Sequence, residues 1–283
     1  MCLIALALDQ HPRFPVVIAA NRDEFFDRPA AALDWWQPAP DSTPILAGRD
    51  LQGGGTWLGL NARGRMAMLT NVRDLPRYRA TAPSRGAIVP SWLAGDASAG
   101  GFWHATTGQA HNPFNLLAGD LARGAWWWAD DRSTAPQSLS PGLYGLSNAA
   151  LDTPWPKVLR LKTAVGEALD AARTTRELER QLLAALADRC GAPDHALPDT
   201  GIGLERERWL APAFIARPDA RYGTRCSTLL IAERHAQGMT VRLIERQFAG
   251  DGQAIAQRRV RWDTSQSTGD GLPAVVSETL NAG

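Results

Sequence analysis

The chain of 283 residues is poor in cysteine and in lysine, and it lacks a strong charge of either sign. The three cysteines, Cys2, Cys190 and Cys226, are odd in number, widely spaced and without a CxxC pair. This argues against a disulfide framework or a zinc site and indicates free thiols. Only two of the 30 basic residues are lysines, and the formal net charge is +1. Because a nucleic-acid-binding protein carries a basic footprint, no nucleic-acid partner is expected.

Long apolar runs are also missing. No stretch reaches the ~20 apolar residues of a membrane-spanning helix, so stable membrane insertion is not expected. Residues 2–8 are apolar, but the segment is too short for a signal core and has no basic leader. We therefore expect a cytoplasmic protein. Hydrophobic residues make up 45% of the chain and charged residues 21%, which is typical of a globular protein with a sizeable core.

Strand patterns dominate the first seventy residues and return near the end of the chain. Residues 2–8 predict a buried strand, 9–13 a turn and 15–23 a returning strand. Residues 28–44, rich in Pro, Ala and Asp, predict an irregular arm. Gly53-Gly-Gly55 lacks the Lys and helix of a phosphate-binding loop and predicts a hairpin turn. Further strands are expected over residues 56–61, 65–71, 115–120, 125–129, 143–147, 228–233, 240–248 and 260–262.

Helix patterns lie between these strands. Ser84 is a candidate N-cap of a short helix that runs to Leu93 and is kinked or broken near Pro90. Apolar residues at helical spacing predict a second helix, and Thr174-Thr-Arg-Glu177 is a capping-box pattern at the start of a third. The periodic residues are Val158, Leu161, Val165 and Leu169 in the second helix and Leu178, Leu182 and Leu186 in the third.

Strands at both ends with helices between them favour one α+β domain over residues 1–263, whose first and last strands share a sheet. Residues 264–283 are rich in Ser, Thr and Gly at their start and predict a mobile tail.

A cysteine at position 2 has a chemical property that the other two cysteines lack. Methionine aminopeptidases remove Met1 when the next residue is small, which leaves Cys2 with a thiol and a free α-amine. Ordinary pKa values are about 7.7–8.0 for the amine and about 8.5 for the thiol. One residue then supplies both a nucleophile and a general base near neutral pH. The alternative is a small buried apolar residue on an apolar strand.

Nine short motifs follow one another along nearly the whole chain. They are Met1-Cys-Leu, Ala20-Asn-Arg-Asp-Glu24, Gly48-Arg-Asp50, Gly53-Gly-Gly-Thr-Trp-Leu-Gly59, Leu69-Thr-Asn-Val-Arg73, Ser84-Arg-Gly86, Asn112-Pro-Phe-Asn-Leu116, Gly145-Leu-Ser-Asn148 followed by Trp155-Pro-Lys157, and Tyr222-Gly-Thr-Arg225. Together they resemble the NRDE family, also called the transport and Golgi organisation family. The resemblance implies the N-terminal-nucleophile (Ntn) hydrolase fold, a four-layer αββα sandwich of two central sheets between helix layers.

The cysteine branch of that fold, the choloylglycine-hydrolase-like amidases, implies roles for the first motifs. Cys2 matches the nucleophile, and Asn21-Arg-Asp23 resembles a segment whose Asp hydrogen-bonds the nucleophile's α-amine. Strand alternation puts Asn21 and Asp23 on one face and Arg22 on the other. Asp23 is therefore the expected orienting acid and Arg22 a structural ion-pair partner. Asn21, Arg22 and Glu24 are the candidate binding residues.

The same resemblance assigns three later residues to the catalytic set. Asn71 and Asn148 resemble the two Asn residues on the oxyanion side, where one amide donor is worth on the order of ~3 kcal/mol. Arg225 resembles a late Arg near the nucleophile, where a positive charge favours the thiolate. Each has a structural alternative: Asn71 and Asn148 as strand ends, and Arg225 as an ion-pair partner within the sheet.

One position departs from the pattern of the hydrolytic relatives. They carry an Arg three residues before the Asp, in contact with the nucleophile, whereas this chain has Ala20. We do not expect Arg22 to replace it, on the ground that Arg22 would have to leave its strand face. The prediction is that amide turnover is slow or absent while ligand binding is retained.

Two functions of different classes follow. The first is a cysteine Ntn amidohydrolase of a small amide, which requires no cofactor. The second is an intracellular carrier or chaperone for haem or for acyl-coenzyme A and lipids, a role that the family resemblance implies. For haem, the candidate ligands are Cys2 and His111, and no Cys-Pro haem motif is present. Core packing accounts for most of the eleven tryptophans. The sequence points to no metal site and leaves the oligomeric state open.

Overall fold

A computed structural model describes residues 2–217, 219, 221–263 and 272–280, with Cys2 described by its backbone. The helices within these ranges are α1 (Ile88–Ala94), α2 (Ala99–Thr107), α3 (Pro156–Ala171), α4 (Thr175–Leu186) and α5 (Leu204–Trp209). The strands are β1 (Cys2–Leu8), β2 (Val16–Phe25), β3 (Ala30–Trp36), β4 (Ile45–Asp50), β5 (Leu58–Asn61), β6 (Arg65–Asn71), β7 (Phe114–Asp120), β8 (Ala125–Asp130), β9 (Gln137–Ser138), β10 (Gly142–Leu146), β11 (Tyr222–His235), β12 (Gly238–Phe248), β13 (Ala254–Asp263) and β14 (Val275–Thr279).

The chain divides into two compact units, each built on a seven-stranded sheet. The first unit comprises Met1–Asp27, Pro141–Ser147 and Leu151–Gly283. Its strand order is β10-β1-β2-β11-β12-β13-β14, and all neighbours are antiparallel. The prediction that the first and last strands share a sheet is confirmed.

Two helices lie against the sheet of the first unit. Helix α3 packs against β1 and β10, and α4 packs against β2 and β11. A Cβ added at Gly145 on β10 would lie 2.5 Å from Cγ1 of Val158, so glycine permits this close approach. The capping box at Thr174 and Glu177 is present as predicted. The periodic apolar residues of both helices are buried, as their spacing predicts.

The second unit comprises Arg28–Ser140 and Asn148–Ala150. Its strands β3 to β9 follow one another in chain order as an antiparallel sheet, and α1 packs against β4, β5 and β6. Aromatic rings fill the core beneath α1: the ring of Trp92 lies 5.1 Å from that of Trp127 and 5.2 Å from that of Phe102, edge to face. These tryptophans are core residues, as predicted.

The mixed helix and sheet class is confirmed, and each unit combines one antiparallel sheet with helices, the components of an αββα sandwich. None of the described helices is long and apolar enough to span a membrane. The boundary of a single domain at residue 263 stays a prediction.

Three local expectations are corrected. Residues 28–44 are not an irregular arm throughout, because β3 pairs with β4 and buries Leu33 in the sheet. Pro90 does not break α1, since it lies in the first helical turn, where a backbone N–H has no intrahelical partner. Of the tail, residues 264–271 and 281–283 lie outside the described ranges, and Val275–Thr279 forms the edge strand β14 on β13.

Candidate functional site

Three adjacent strands of the first unit bring the early motif residues together with the late one. In the antiparallel register, Arg22 on β2 lies opposite Cys2 on β1 and, on its other side, opposite Cys226 on β11. The next position along β2 is Asp23, which lies opposite Thr224 and beyond the amino-terminal side of Cys2. The predicted orienting acid is therefore one pairing step from the α-amine that removal of Met1 would leave.

Asn21 is buried and fully engaged in hydrogen bonds within the unit. Its Nδ2 donates to the carbonyls of Leu186 and Ala213, both at 2.8 Å, and its Oδ1 accepts from the hydroxyl of Ser227 at 2.6 Å. These bonds join β2 to β11, to the carboxyl end of α4 and to the loop before β11. The amide holds the frame of the site, and direct ligand binding by Asn21 stays a prediction.

Asp23 is completely buried on the same face of β2 as Asn21, as alternation predicts. Its Oδ1 accepts a hydrogen bond from the hydroxyl of Thr224 at 2.7 Å. Burial raises the pKa of the Asp23 carboxyl, and the positive charge of Lys157 acts in the opposite direction. Lys157 is itself 3% exposed and donates from Nζ to the carbonyl of Leu210 at 3.0 Å. Two buried ionisable groups within electrostatic range of each other are typical of functional sites.

Arg22 is 6% exposed and lies on the opposite face of β2 from Asn21 and Asp23. Ala20 and Arg22 are two residues apart on one strand, so they share a face. Ala20 lies opposite Ile4, whereas Arg22 lies opposite Cys2. The expectation that Arg22 would have to leave its strand face to replace the missing arginine is therefore wrong. The role of Arg22 as a structural ion-pair partner stays a prediction.

Arg225 lies at an irregularity of β11, between Thr224 and Cys226, where the pairing with β2 shifts by one residue. Such β-bulges redirect a side chain and are frequent next to active sites. Its Nη1 donates to the carbonyl of Phe25 at 2.7 Å, and its guanidinium lies 5.1 Å from the ring centre of Phe26. Burial lowers the pKa of Arg225, and the positive charge of Arg22 lowers it further.

Glu24 is half-buried and lies opposite Gly223. Its Oε1 accepts a hydrogen bond from the backbone N–H of Phe25 at 2.9 Å. Its negative charge opposes the lowering of the Arg225 pKa. Glu24 therefore belongs to the charged group around Arg225, and its role as a binding residue stays a prediction.

The two asparagines assigned to the oxyanion belong to the second unit and contact each other there. Asn71 ends β6, and its carbonyl accepts a hydrogen bond from Nδ2 of Asn148 at 2.7 Å. The carbonyl of Asn148 accepts from the N–H of Arg73 at 2.8 Å. Asn148 thus fixes the end of β6, which agrees with its structural alternative, and the oxyanion role of both residues stays a prediction.

Buried polar residues to which the sequence assigned no role lie beside the candidate residues of each unit. Asn115 donates from Nδ2 to Thr70 Oγ1 at 3.1 Å and to the carbonyl of Ala149 at 2.8 Å. Asn115, Lys157 and Thr224 all stand within the quoted motifs, and Lys157 is one of only two lysines in the chain. Their place in the motifs and the rarity of lysine were the sequence features that could have identified these residues. A motif alone, however, does not show which of its side chains becomes buried.

The haem-ligand candidate His111 belongs to the second unit. Its Nδ1 lies 3.1 Å from the carbonyl oxygen of Pro83, and its ring meets that of Phe114 edge to face. Among the described residues, no group of three or more His, Cys, Asp or Glu side chains is placed to hold a metal ion.

Comparisons with known proteins extend over most of the chain. The sequence profile of the family described as Transport and Golgi organisation 2 matches residues 1–250. The chain is 33% identical to the Transport and Golgi organization protein 2 homolog of Bos taurus, over 94% of this chain and 97% of that one. It is 33% identical to the homolog of Homo sapiens, over 82% of this chain and 89% of that one.

Among solved structures, the chain is similar to a Caenorhabditis elegans N-acylethanolamine-hydrolyzing acid amidase (NAAA) ortholog. The TM-score is 0.44 and the identity 10%, over 81% of this chain and 92% of that one. The family profile and the homologs, matched over most of their length, agree with the resemblance carried by the nine motifs. The chain belongs to the Transport and Golgi organisation 2 family.

Proposed function

We propose that this protein is an amidohydrolase of the Ntn type, with Cys2 as its nucleophile and a small non-peptide amide as its substrate. The observation that carries the proposal is the register of β1, β2 and β11, with Arg22 opposite Cys2 and Asp23 one position further along. Burying charged side chains costs several kcal/mol, and buried ionisable groups close to one another are typical of functional sites. Three charged residues of the quoted motifs, Arg22, Asp23 and Lys157, are buried in the first unit.

The proposed reaction begins when removal of Met1 frees the α-amine of Cys2. The amine accepts the thiol proton, and Sγ attacks the carbonyl carbon of the amide. The C–N bond breaks, the proton passes from the ammonium to the departing amine, and an acyl thioester remains on Cys2. A water molecule that gives its proton to the α-amine then attacks the thioester. The acid is released and the thiol regenerated. Asp23 holds the amine in place throughout.

The test combines intact mass with turnover. Native protein is expected to lack Met1 and to release amine steadily from an N-acyl amide. The variant Cys2→Ala and a form with an uncleaved N-terminal extension are expected to release none, because the first lacks the nucleophile and the second lacks the free amine. Retained Met1 in native protein, or equal turnover by Cys2→Ala, would contradict the hydrolase.

A second candidate is a carrier that binds haem or acyl-coenzyme A without turnover. It is favoured by Ala20, which stands at the position of the arginine found in hydrolytic relatives. An apolar pocket with a few polar groups holds such ligands without chemistry. For the carrier, Cys2→Ser is expected to leave acyl-coenzyme A affinity nearly unchanged, whereas changes at Asn21 or Asp23 weaken it. A change of the Soret band in Cys2→Ser would identify Cys2 as a haem ligand.

A further inference from the structure

We propose that Arg22 is the cation that stabilises the Cys2 thiolate, in place of the arginine that hydrolytic relatives carry at the position of Ala20. The inference rests on the proposed role of Cys2 as nucleophile. It assigns to Arg22 an electrostatic task at the reacting sulfur, and it removes the main objection to turnover that the sequence raises.

The pairing of β1 with β2 is the first support. Directly opposite residues of antiparallel strands have their Cα atoms about 4.5–5.5 Å apart. Arg22 holds this position relative to Cys2, and the described pairing of the two strands ends there. Ala20 lies two residues further along β2, opposite Ile4. Position 22, which holds the arginine in this chain, is therefore nearer to Cys2 than position 20.

The pairing of β2 with β11 is the second support. Cys226, 4% exposed, lies opposite Arg22 on the side away from Cys2. Neighbouring strands are about 4.8 Å apart, so β1 and β11 are separated by roughly 10 Å. A disulfide requires Cα atoms within about 7 Å. Cys2 and Cys226 therefore cannot be cross-linked without movement of the strands, and the positive charge of Arg22 lies in the strand between them.

The burial of Arg22 makes its charge effective. Water screens a guanidinium that is 6% exposed far less than one at the surface. The positive charge of Arg22 also lowers the pKa of Arg225 on the neighbouring strand, where burial is the larger cause. Other ionisable groups on the elements next to Cys2 include Asp23 and Glu24 on β2, Tyr222, Arg225 and Cys226 on β11, Tyr144 on β10, and Lys157, Arg160 and Lys162 on α3.

The experiment measures the rate at which iodoacetamide alkylates Cys2 from pH 5 to 10, by peptide mapping of the full-length protein. In the wild type, the midpoint of the rise in alkylation rate with pH is expected below the ordinary thiol pKa of about 8.5. Arg22→Gln is expected to move the midpoint upward by about one pH unit and to slow alkylation at pH 7 about tenfold. Arg22→Lys keeps the charge and is expected to restore most of the rate.

Arg246→Gln is the matched control, because it removes an arginine from β12, three strands from Cys2 in the same sheet. Its alkylation profile is expected to coincide with that of the wild type. A folded Arg22→Gln protein with an unchanged profile would overturn the proposal. If Arg22→Gln does not fold, a wild-type midpoint at or above 8.5, or an Arg22→Lys profile displaced upward by a full unit, overturns it instead.

Amide turnover is measured on the same samples to separate this inference from the proposed function. A shifted profile in Arg22→Gln without turnover in any sample supports the role of Arg22 and contradicts the hydrolase. Steady turnover with an unshifted profile supports the hydrolase and contradicts the role of Arg22.

Discussion

Three consecutive residues of β2 have different surroundings, although Asn21 and Asp23 share one face of the strand. Asn21 saturates its amide with hydrogen bonds to Leu186, Ala213 and Ser227. Asp23 is buried beside Thr224 within reach of the charge of Lys157. Arg22 lies on the other face, opposite two cysteines. A motif of adjacent polar residues therefore combines a hydrogen-bonding clamp with two buried charged groups.

The three cysteines are expected to react with iodoacetamide in the order Cys2, Cys190, Cys226. Cys190 is exposed, but a hydrogen bond with Asp188 and the negative charge of that carboxylate raise the pKa of its thiol. Cys226 is buried. Since the thiolate is the reactive form, a thiol beside Arg22 and an α-amine should be alkylated first. Peptide mapping after limited alkylation gives the order, and modification of Cys190 before Cys2 would contradict it.

Asn21→Ala is expected to lower the free energy of unfolding by about 3 kcal/mol. The substitution leaves two buried carbonyls and one hydroxyl without their partner, and each such group costs about 1–3 kcal/mol when relaxation is incomplete. Urea denaturation monitored by circular dichroism measures the change in the free energy of unfolding. The control is Gln10→Ala, which removes an amide that bonds the carbonyl of Leu8 from an exposed position. A loss at Asn21 no larger than at Gln10 would argue against the clamp.

At the level of single elements, β11 depends on a glycine that the motif Tyr222-Gly-Thr-Arg225 supplies. A Cβ at Gly223 would lie 2.5 Å from the carbonyl oxygen of Ile215, which accepts a hydrogen bond from the N–H of Thr224 at 2.8 Å. The loop before β11 therefore approaches the strand too closely for any side chain. This contact lies two residues from the irregularity that positions Arg225.

Gly223→Ala is expected to destabilise the protein by about 2 kcal/mol, since backbone must move to relieve the overlap. The displaced strand should also slow alkylation of Cys2. Gly100→Ala is the control, because Gly100 lies in α2 and a Cβ there would have no neighbouring atom within 4 Å. At that position, alanine is expected to stabilise the helix by about 0.5 kcal/mol. Thermal unfolding of the two variants should thus shift in opposite directions, and a shift in the same direction would contradict the close-approach argument.

Most of the fold could be predicted from local patterns. Helices α3 and α4 are indicated by apolar residues at helical spacing and by the capping box, and β1 and β2 by their apolar character. Strand β3 was missed because Pro, Ala and Asp dominate residues 28–44, although Leu33, Trp35 and Trp36 lie within the strand. Its pairing with β4 is a contact that local sequence does not reveal. The edge strand β14 is exposed for the most part, so its sequence carries little apolar signal.

The candidate site was predictable in its residue types and less so in its pairing. The motifs identified Cys2, Asp23 and Arg225, but register depends on turn geometry and on contacts between distant strands. The expectation that Arg22 would have to leave its strand face was wrong, because Ala20 and Arg22 share a face of β2, and the register places Arg22 opposite Cys2. Likewise, Lys157 becomes a buried charge only when α3 packs against the sheet.

The first unit is also held together by a charged cluster centred on Glu233. The carboxylate of Glu233 accepts hydrogen bonds from Arg13 in the turn before β2, from Thr175 at the start of α4 and from Arg242 on β12. Burial acts to raise the pKa of Glu233, but these hydrogen bonds outweigh it and lower the pKa to about 2. One ionised side chain on β11 therefore links three elements that are far apart in sequence.

This cluster predicts how the stability of the protein depends on pH. A carboxyl whose pKa is lower in the folded than in the unfolded state stabilises the fold fully above the unfolded value of about 4.3, and the contribution is lost as the pH falls toward about 2. At pH 7, the free energy of unfolding of Glu233→Gln is therefore expected to be about 2 kcal/mol lower than that of the wild type, a value that allows for partial screening by solvent. The gap to the wild type should narrow steadily between about pH 4.5 and pH 2. Urea denaturation at several pH values measures it, with Glu167→Gln on the exposed side of α3 as the control that leaves stability nearly unchanged. A difference in unfolding free energy that stays constant down to pH 2 would show that Glu233 stabilises the fold through its shape and packing. A contribution from the ionised carboxylate would disappear when the carboxylate is protonated.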